Sequence, residues 1–196
     1  AASLTAAQVS GLLTAQISIL EEADVKALTP SQVVELLPDQ LNSLTSDQFL
    51  ALTTLQIASL SQTQVASIKN ADLVFIGTSQ IRALAASQIS SLTVSQVTAL
   101  TPDRMAAFSS SQVSQFTNEQ IAALETDDIV ALTPSQMPAF SAAQLTSFTT
   151  GQVASLETLD LRALTAYQIA ELTAEQLVAL KSDQFLALST QQISSL

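Results

Sequence analysis

Histidine, cysteine and tryptophan are absent from this 196-residue chain, which has only three glycines and five prolines. Without cysteine the chain cannot form a disulfide, a thiolate zinc site or a thiol nucleophile. Without histidine it lacks the commonest general base and metal ligand in proteins. Neither Gly-x-Ser-x-Gly nor Ser-x-x-Lys, the serine motifs of two hydrolase classes, occurs. We therefore expect no enzyme activity, no cofactor and no metal site.

Positive charge is also scarce. Six Lys and Arg stand against 17 Asp and Glu, so the net charge is −11. Duplex nucleic acid and anionic membranes are bound mainly through basic side chains that neutralise phosphate, and an acidic chain is repelled by both. The longest strongly apolar run is Leu73–Ile76, far short of the 18 or so residues of a membrane-spanning helix. We expect no nucleic-acid partner and no membrane insertion.

What the chain does have is a repeat of eight residues. Numbered from Thr5, the sequence forms 24 octads that end at Leu196 without an insertion or a deletion. Position 1 of the octad is Thr or Ser in 15 octads, and position 4 is Gln in 19. Position 5 is apolar in all 24, and position 8 is Leu, Ile or Phe in all 24. No linker or change of composition interrupts the pattern, which predicts a single continuous array over residues 1–196.

The spacing of the apolar positions favours one short helix in each octad. Positions 5 and 8 would lie on opposite faces of a strand. In one continuous helix, eight residues at about 100° each would rotate the apolar stripe by about 80° per octad, so no face would stay buried. A lone octad buries too little apolar surface to offset its backbone entropy, and stacking on neighbours is required. The sequence predicts an all-α solenoid of 24 short helices.

Several local signals mark the same helix start. Thr-x-x-Gln is a capping box, in which the Thr hydroxyl and the Gln side chain each accept from a backbone N–H at the helix start. Proline is tolerated at the first helical residue, which is position 2. Four of the five prolines occupy that position: Pro30, Pro38, Pro102 and Pro134. Pro138 lies at position 6 and predicts an interruption of its helix; the sequence offers no functional reason for it.

Acidic side chains are the only candidates for a metal site. Asp replaces Gln at position 4 in four octads that open with Glu or Lys, at Asp24, Asp72, Asp128 and Asp160. The nearest clusters are Glu21-Glu22-x-Asp24 and Glu125-x-Asp127-Asp128. Calcium prefers six to eight oxygens in a glycine-turned loop, whereas an acid in the first turn of a helix is favoured by the helix dipole. We interpret these residues as helix caps and assign no catalytic, cofactor-binding or metal-binding residue.

Bulky apolar groups at positions 6 and 7 are the remaining irregularity. They occur in Leu73–Ile76 and in the sequence Ser-Asp-Gln-Phe-Leu-Ala-Leu, which is found twice, at Ser46–Leu52 and Ser182–Leu188. Such groups could form contact patches, or they could be variations of the buried core. Single apolar side chains on a surface are common and need no special role, so core variation is the favoured interpretation.

The tandem motif Thr-x-x-Gln-(Ile/Val)-x-x-Leu, as in Thr117–Leu124 and Thr165–Leu172, resembles a known class of sequence. Similar octad arrays occur in very large bacterial secreted proteins described as adhesins, haemagglutinin-like or haem-utilization proteins. The resemblance implies an extracellular or cell-surface stalk or filament with an adhesive role. Haem binding receives no support from the residues, because no His or Cys exists and Tyr167 is the only tyrosine.

The sequence thus predicts a structural segment that extends and connects. An alternative is a helical-repeat scaffold that binds a peptide or glycan in a groove. The array begins within an octad at Ala1 and keeps the ordinary pattern to Leu196, without the polar terminal repeats that close many solenoids. The expected partners are therefore neighbouring repeats of a longer chain, or further copies associating end to end. The octad itself does not specify the handedness or the number of octads per superhelical turn.

Overall fold

The computed structural model describes residues 4–196, where each octad forms one short helix. The α-helices of octads 1–12 are Ala6–Ser10, Thr14–Ile17, Glu22–Ala27, Pro30–Val33, Pro38–Asn42, Ser46–Leu50, Thr54–Ser59, Gln62–Ser67, Asn70–Leu73, Thr78–Ala83, Ala86–Ile89 and Val94–Thr98. Those of octads 13–24, with one 3-10 helix at Met137–Ala139, are Pro102–Ala107, Ser110–Val113, Asn118–Ala122, Thr126–Val130, Ala142–Thr146, Thr150–Ser155, Thr158–Ala163, Ala166–Ala170, Ala174–Ala179, Ser182–Ala187 and Thr190–Ile193. Within the described range there is no strand, and no helix is long and apolar enough to cross a membrane.

The predicted capping box begins these helices. In 13 octads the Thr or Ser at position 1 accepts from the backbone N–H of position 4 while the Gln side chain accepts from the N–H of position 1. In octad 19, the Gln152 N–H lies 3.2 Å from Thr149 Oγ1, and Gln152 Oε1 lies 2.7 Å from the Thr149 nitrogen. Thr149 itself is extended, with φ −68° and ψ 159°. The chain therefore leaves the helical conformation at each octad boundary and enters it again.

Three of the four position-2 prolines begin a helix as predicted, whereas Pro134 lies in a turn. Pro30, Pro38 and Pro102 each occupy the first residue of an α-helix. Octad 17 is different, since it forms a turn followed by the 3-10 helix that contains Pro138. Val34 of octad 4 donates its N–H to the Pro30 carbonyl at 3.0 Å, but Pro138, at the equivalent position, has no N–H to donate. The predicted interruption is confirmed, and nothing in the structure explains why proline is present there.

The helices stack in columns. The chain divides into two compact units, Ala1–Ala99 and Leu100–Leu196, and within each unit a helix packs on the helix three octads later. Pro30–Val33 packs on Thr54–Ser59 in the first unit, and Thr158–Ala163 packs on Ser182–Ala187 in the second. About three octads therefore make one turn, which confirms the all-α solenoid. The octad register continues unchanged through residues 99 and 100, and the single array over 1–196 stays a prediction.

The two invariant apolar positions form the core of each unit. From Val9 to Ile169, position-5 side chains are at most 2% exposed, and from Leu28 to Leu172 position-8 side chains are at most 7% exposed. Position-8 side chains of adjacent octads meet, as the rings of Phe108 and Phe116 do, edge to face with centroids 5.2 Å apart. The two apolar positions of the octad therefore supply the buried core that stacking of the short helices requires.

Candidate functional site

The side chains at position 4 line the interior of both units and are mostly large polar amides. From Gln32 to Gln192 the position-4 glutamines are only 1–7% exposed. Burial of an amide costs free energy unless its donor and acceptor groups are hydrogen bonded. Their hydrogen bonds therefore reveal what these buried side chains do.

The buried glutamines hydrogen bond in two directions, and Gln152 illustrates the arrangement. In octad 19, Gln152 Oε1 accepts from the N–H of Thr149, which caps its own helix. Its Nε2 donates to the carbonyl oxygens of Ile121 and Leu124, both at 2.8 Å. These residues lie 31 and 28 residues earlier, at positions 5 and 8 of the octad four places before. The same pair of bonds recurs in the first unit, for instance from Gln64.

The bonded carbonyls explain why the arrangement is useful. The last carbonyls of an α-helix have no partner within the helix, and the first N–H groups have none either. A helix of four to six residues consists almost entirely of such groups. One glutamine satisfies an N–H at the start of its own helix and carbonyls at the end of another. Gln152 thereby ties two successive turns together, and both polar atoms of its amide are used.

The octad pattern predicts only the capping role of this glutamine and does not predict the bond between turns. A signal for it was present, because a capping box accepts Glu as readily as Gln, yet Glu never occurs at position 4 in 24 octads. Of these two side chains, only the amide of Gln can both accept from one group and donate to others, because an ionised Glu carboxylate only accepts. The exclusion of Glu therefore indicates that the side chain must donate.

The first two octads show capping without the bond between turns. Gln8 and Gln16 are exposed, and their Oε1 atoms accept from the N–H groups of Thr5 and Leu13 at 2.7 and 2.8 Å. No octad lies four places earlier in the described part of the chain. These two residues therefore separate the two roles of position 4.

Three of the four aspartates at position 4, Asp72, Asp128 and Asp160, have different environments. Asp128 Oδ2 accepts from the Glu125 N–H at 3.2 Å, as expected of a cap. Asp72 Oδ1 accepts from the Ser46 hydroxyl at 2.9 Å, a bond to the octad three places earlier. Neither carboxylate oxygen of Asp160 has a hydrogen-bond partner, although the residue is only 1% exposed. The capping interpretation is confirmed for Asp128, whereas Asp72 and Asp160 do not complete a capping box.

Burial raises the pKa of two of these carboxyl groups. For Asp160, burial and then the negative charge of Glu157 raise the pKa to about 6. The nearby backbone N–H of Glu157 offsets part of the rise, although it does not form a hydrogen bond of normal length and angle with either carboxylate oxygen. For Asp128, burial also raises the pKa to about 6; the backbone N–H of Glu125 lowers it, and the charges of Glu125 and Asp127 raise it. In both residues the dominant cause is the loss of water around a charged group.

The acidic clusters suggested by the sequence lie at helix starts. Glu21 and Glu22 are exposed at the start of octad 3, and Glu125 and Asp127 are exposed at the start of octad 16. Among residues 4–196 no three His, Cys, Asp or Glu side chains are grouped so that they could hold a metal ion. This geometry agrees with the dipole interpretation of the acids.

The bulky irregularities lie partly on the surface. Leu73 and Ile76 are buried, but Val74 and Phe75 between them are 37% and 62% exposed. Leu186, in the second copy of Ser-Asp-Gln-Phe-Leu-Ala-Leu, is 83% exposed. Core variation is therefore the wrong interpretation of Phe75 and Leu186. That these side chains form contact patches stays a prediction.

Two open clefts lie at equivalent places in the two units. The first, of about 600 Å³, is lined by Ser18–Ala23 and by residues of Thr45–Gln48. The second, of about 380 Å³, is lined mainly by Ser155–Leu159 and by residues of Lys181–Gln184. In each case an octad with Glu at position 1 and Asp at position 4 is followed three octads later by the Ser-Asp-Gln-Phe-Leu-Ala-Leu sequence. The twice-occurring sequence thus marks a repeated surface feature.

Comparison with known proteins agrees with this periodicity. The family model described as the ALTTAQ repeat matches four stretches, residues 17–54, 65–102, 121–158 and 153–190. Each match begins at position 5 of an octad and ends at position 2. Together the four stretches cover most of the chain. No curated protein matches it.

Proposed function

The chain belongs to the ALTTAQ repeat family, and we propose that it is a structural segment that extends and connects, as part of a bacterial surface or extracellular stalk or filament. The observation that carries the proposal is the use of the position-4 amides. Buried glutamines in both units join one turn to the next, as Gln152 joins octad 19 to octad 15. A chain in which the same bond recurs in most octads gains its stability from continuity along its length.

The proposal includes the absence of catalysis. The chemically versatile side chains His and Cys do not occur, and most Thr and Ser hydroxyls at position 1 accept from backbone N–H groups in caps. A hydroxyl that caps a helix is not activated by a neighbouring base, as a nucleophile would be. The function is therefore mechanical rather than chemical.

The proposed partners are further octads of the same pattern. In octads 23 and 24 the core side chains Phe185, Ile193 and Leu196 are 40–52% exposed, whereas interior position-5 residues such as Ile121 are fully buried. A following turn, from neighbouring repeats or from a second copy, would cover these side chains and supply amides to the carbonyls beside them. The proposed location is outside the cell, where an acidic surface would keep neighbouring stalks apart.

Small-angle scattering tests the structural role. A tandem duplication of residues 29–76 adds six octads, or about two turns. Because packed helices lie about 8–10 Å apart, we expect the maximum dimension to increase by about 18 Å while the cross-section stays constant. The control is an insertion of 48 Gly and Ser residues at the same place. This flexible insertion should broaden the pair-distance distribution without the regular increase in maximum dimension. A larger cross-section with unchanged length would contradict the proposal.

The binding scaffold is a second candidate, favoured by the two equivalent clefts. Both are lined by carboxylates, Glu21 and Asp47 in the first and Glu157 and Asp183 in the second, and such clefts would suit a basic peptide better than a neutral glycan. Titration with an oligolysine peptide, followed by fluorescence of a label on the peptide, tests this role. The double variant Glu157→Gln with Asp183→Asn should weaken binding more than Glu119→Gln with Asp103→Asn. Equal weakening would indicate net charge alone.

A further inference from the structure

Three of the four position-4 aspartates have at least four octads before them, where the pattern otherwise places a donating glutamine. At neutral pH a carboxylate accepts hydrogen bonds and donates none. Asp72 avoids an unpaired charge because Ser46, 26 residues earlier, donates its hydroxyl to Oδ1 at 2.9 Å. Ser46 is position 2 of the octad three places before, on the helix that packs against that of Asp72.

The equivalent donor is missing for the other two. The residue 26 positions before Asp160 is Pro134, and the residue 26 positions before Asp128 is Pro102. Octad 17, which contains Pro134, packs against octad 20 as octad 6 packs against octad 9. Proline has neither a side-chain donor nor an N–H. The prolines therefore stand where Ser46 stands relative to Asp72, and both Asp160 oxygens are left buried without a partner.

The backbone near Asp160 also lacks the amide that other octads receive. Gln152 donates to Ile121 and Leu124 in octad 15, and by the same register the amide of octad 20 would serve Ile129 and Leu132 in octad 16. An aspartate in the charged form has no proton to offer to any carbonyl. In the protonated form it gains an O–H donor and loses the buried charge.

We propose that Asp160 is a proton-binding switch, neutral and tightly packed in mild acid and charged at neutral pH, when the turn around octad 20 loosens. Asp128, above Pro102, repeats the arrangement with one oxygen held by the Glu125 N–H. The switch goes beyond the proposed structural role, since a stalk needs no such group. It makes the turns that contain Asp160 and Asp128 respond to acidity, while the turns built on glutamine do not.

The charged groups around Asp160 leave it without compensation. Its own octad contributes Glu157 and Arg162, and octad 23, which packs against it, contributes Lys181 and Asp183. Octad 17 on the other side contains no ionisable group. Lys181 and Arg162 are exposed to solvent, where water screens their charges. The adjacent negative charge of Glu157 acts in the same direction as burial.

The charged groups around Asp128 likewise leave its buried carboxylate without a compensating positive charge. Glu125 and Asp127 belong to its own octad, and Asp103 and Arg104 belong to octad 13, which packs against it. Octad 19, on its other side, has no ionisable group. The two acids of its own octad raise the pKa of Asp128 further. The pKa of Asp128 is therefore raised in the same direction as that of Asp160.

The direction of the effect follows from linkage. A carboxyl whose pKa is about 6 in the folded protein and about 3.9 when unfolded binds its proton more tightly in the folded state. The stabilisation is full below the unfolded pKa, is lost as the pH rises towards 6, and is absent above it. Between pH 5 and pH 7.5 the opening equilibrium constant of the turn should rise about tenfold for this single group.

Hydrogen exchange of the amides in octads 19–21, corrected for the intrinsic rate at each pH, measures this constant. We expect about tenfold less protection at pH 7.5 than at pH 5 in the natural chain. Asp160→Gln restores the residue of the pattern and should abolish the difference. Pro134→Ser places a hydroxyl where Ser46 lies relative to Asp72, so protection at pH 7.5 should rise to the pH 5 value. Asp183→Asn, which removes an exposed carboxylate of octad 23, should keep the difference.

Two outcomes would overturn the proposal. One is an undiminished pH dependence in Asp160→Gln, which would assign the titration to another group. The other is equal loss of the dependence in Asp183→Asn, which would indicate general charge repulsion. If Pro134→Ser lowers protection in octad 17 at both pH values, the proline is needed for folding, and the comparison of Asp160→Gln with Asp183→Asn decides. All of these results are independent of whether the chain forms a stalk.

Discussion

At the scale of the residue, one substitution at position 4 can separate the capping role of the glutamine from its bond between turns. Gln152→Glu keeps an oxygen to cap the Thr149 N–H but removes the donor to Ile121 and Leu124. The variant also buries a charge at a site that is 2% exposed. Because unsatisfied buried groups and unpaired charges each cost a few kcal/mol, the free energy of unfolding should fall by about 2–5 kcal/mol. Urea unfolding followed by far-ultraviolet circular dichroism measures it.

Gln8→Glu is the matched control. Gln8 also caps its helix, through the N–H of Thr5, but it is exposed. An acid near a helix start interacts favourably with the helix dipole, so the free energy of unfolding should change by less than about 0.5 kcal/mol. Equal losses in the two variants would mean that capping alone explains the glutamines.

For these glutamines, the sequence predicts one of the two hydrogen bonds and not the other. The bond between Thr149 and Gln152 was predictable because its partners are three residues apart. The bond from Gln152 to Leu124 was not, because it spans 28 residues and depends on the number of octads per turn. Asp160 was assigned to a cap for the same reason: the residues that surround it come from octads whose position the octad alone does not specify.

At the scale of the element, each helix is specified by its own octad. Asn118→Pro places proline at the first helical residue of octad 15, as in octads 4, 5 and 13. Thr117 before it is already extended, with φ −74° and ψ 158°, the conformation that a following proline requires. We expect the melting temperature to change by no more than a few degrees.

Proline three residues later should have the opposite effect. Ile121→Pro removes the hydrogen bond from Ile121 N–H to the Thr117 carbonyl, 3.0 Å long, and replaces a fully buried core side chain. The free energy of unfolding should fall by about 3 kcal/mol or more. Calorimetry of the two variants under the same conditions makes the comparison. Similar damage at both positions would contradict independent helix starts.

Octad 17 shows what a natural proline does inside the element. The sequence predicted that Pro138 would interrupt the helix, because the missing N–H is a local property. It did not predict that the residues around it would form a 3-10 helix, Met137–Ala139, with Met137 still fully buried. Packing of the core side chain holds the octad in its column although the α-helix is lost.

At the scale of the whole molecule, the register of the octads matters more than their number. Deleting Thr165–Leu172 removes one octad, after which Gln176 meets the carbonyls of Met137 and Phe140 that Gln168 now binds. Every later octad inherits an equivalent set of partners. We therefore expect a single cooperative transition with little loss of helix. Guanidinium unfolding measured by circular dichroism tests the deletion.

Deleting Thr165 alone should be more damaging than deleting the octad. The missing residue takes away a cap, since Thr165 Oγ1 accepts from the Gln168 N–H at 3.1 Å. It also displaces positions 5 and 8 of the following octads by one residue relative to the turn they pack on. We expect a lower unfolding midpoint and local loss of exchange protection in octads 21–24. Greater damage from the octad deletion would mean that the core is not periodic.

The reach of each amide to the octad four places earlier implies a critical length. Four octads in isolation contain no bond of this kind, five contain one, and every further octad adds another. The first turns of an array therefore act as a nucleus, because their own amides make few bonds between turns. Each later turn adds such a bond and extends the array, as propagation does in the helix–coil transition. The free energy of unfolding should rise steeply near five octads and then grow in proportion to length. Arrays shorter than about five octads should therefore be unstable in isolation.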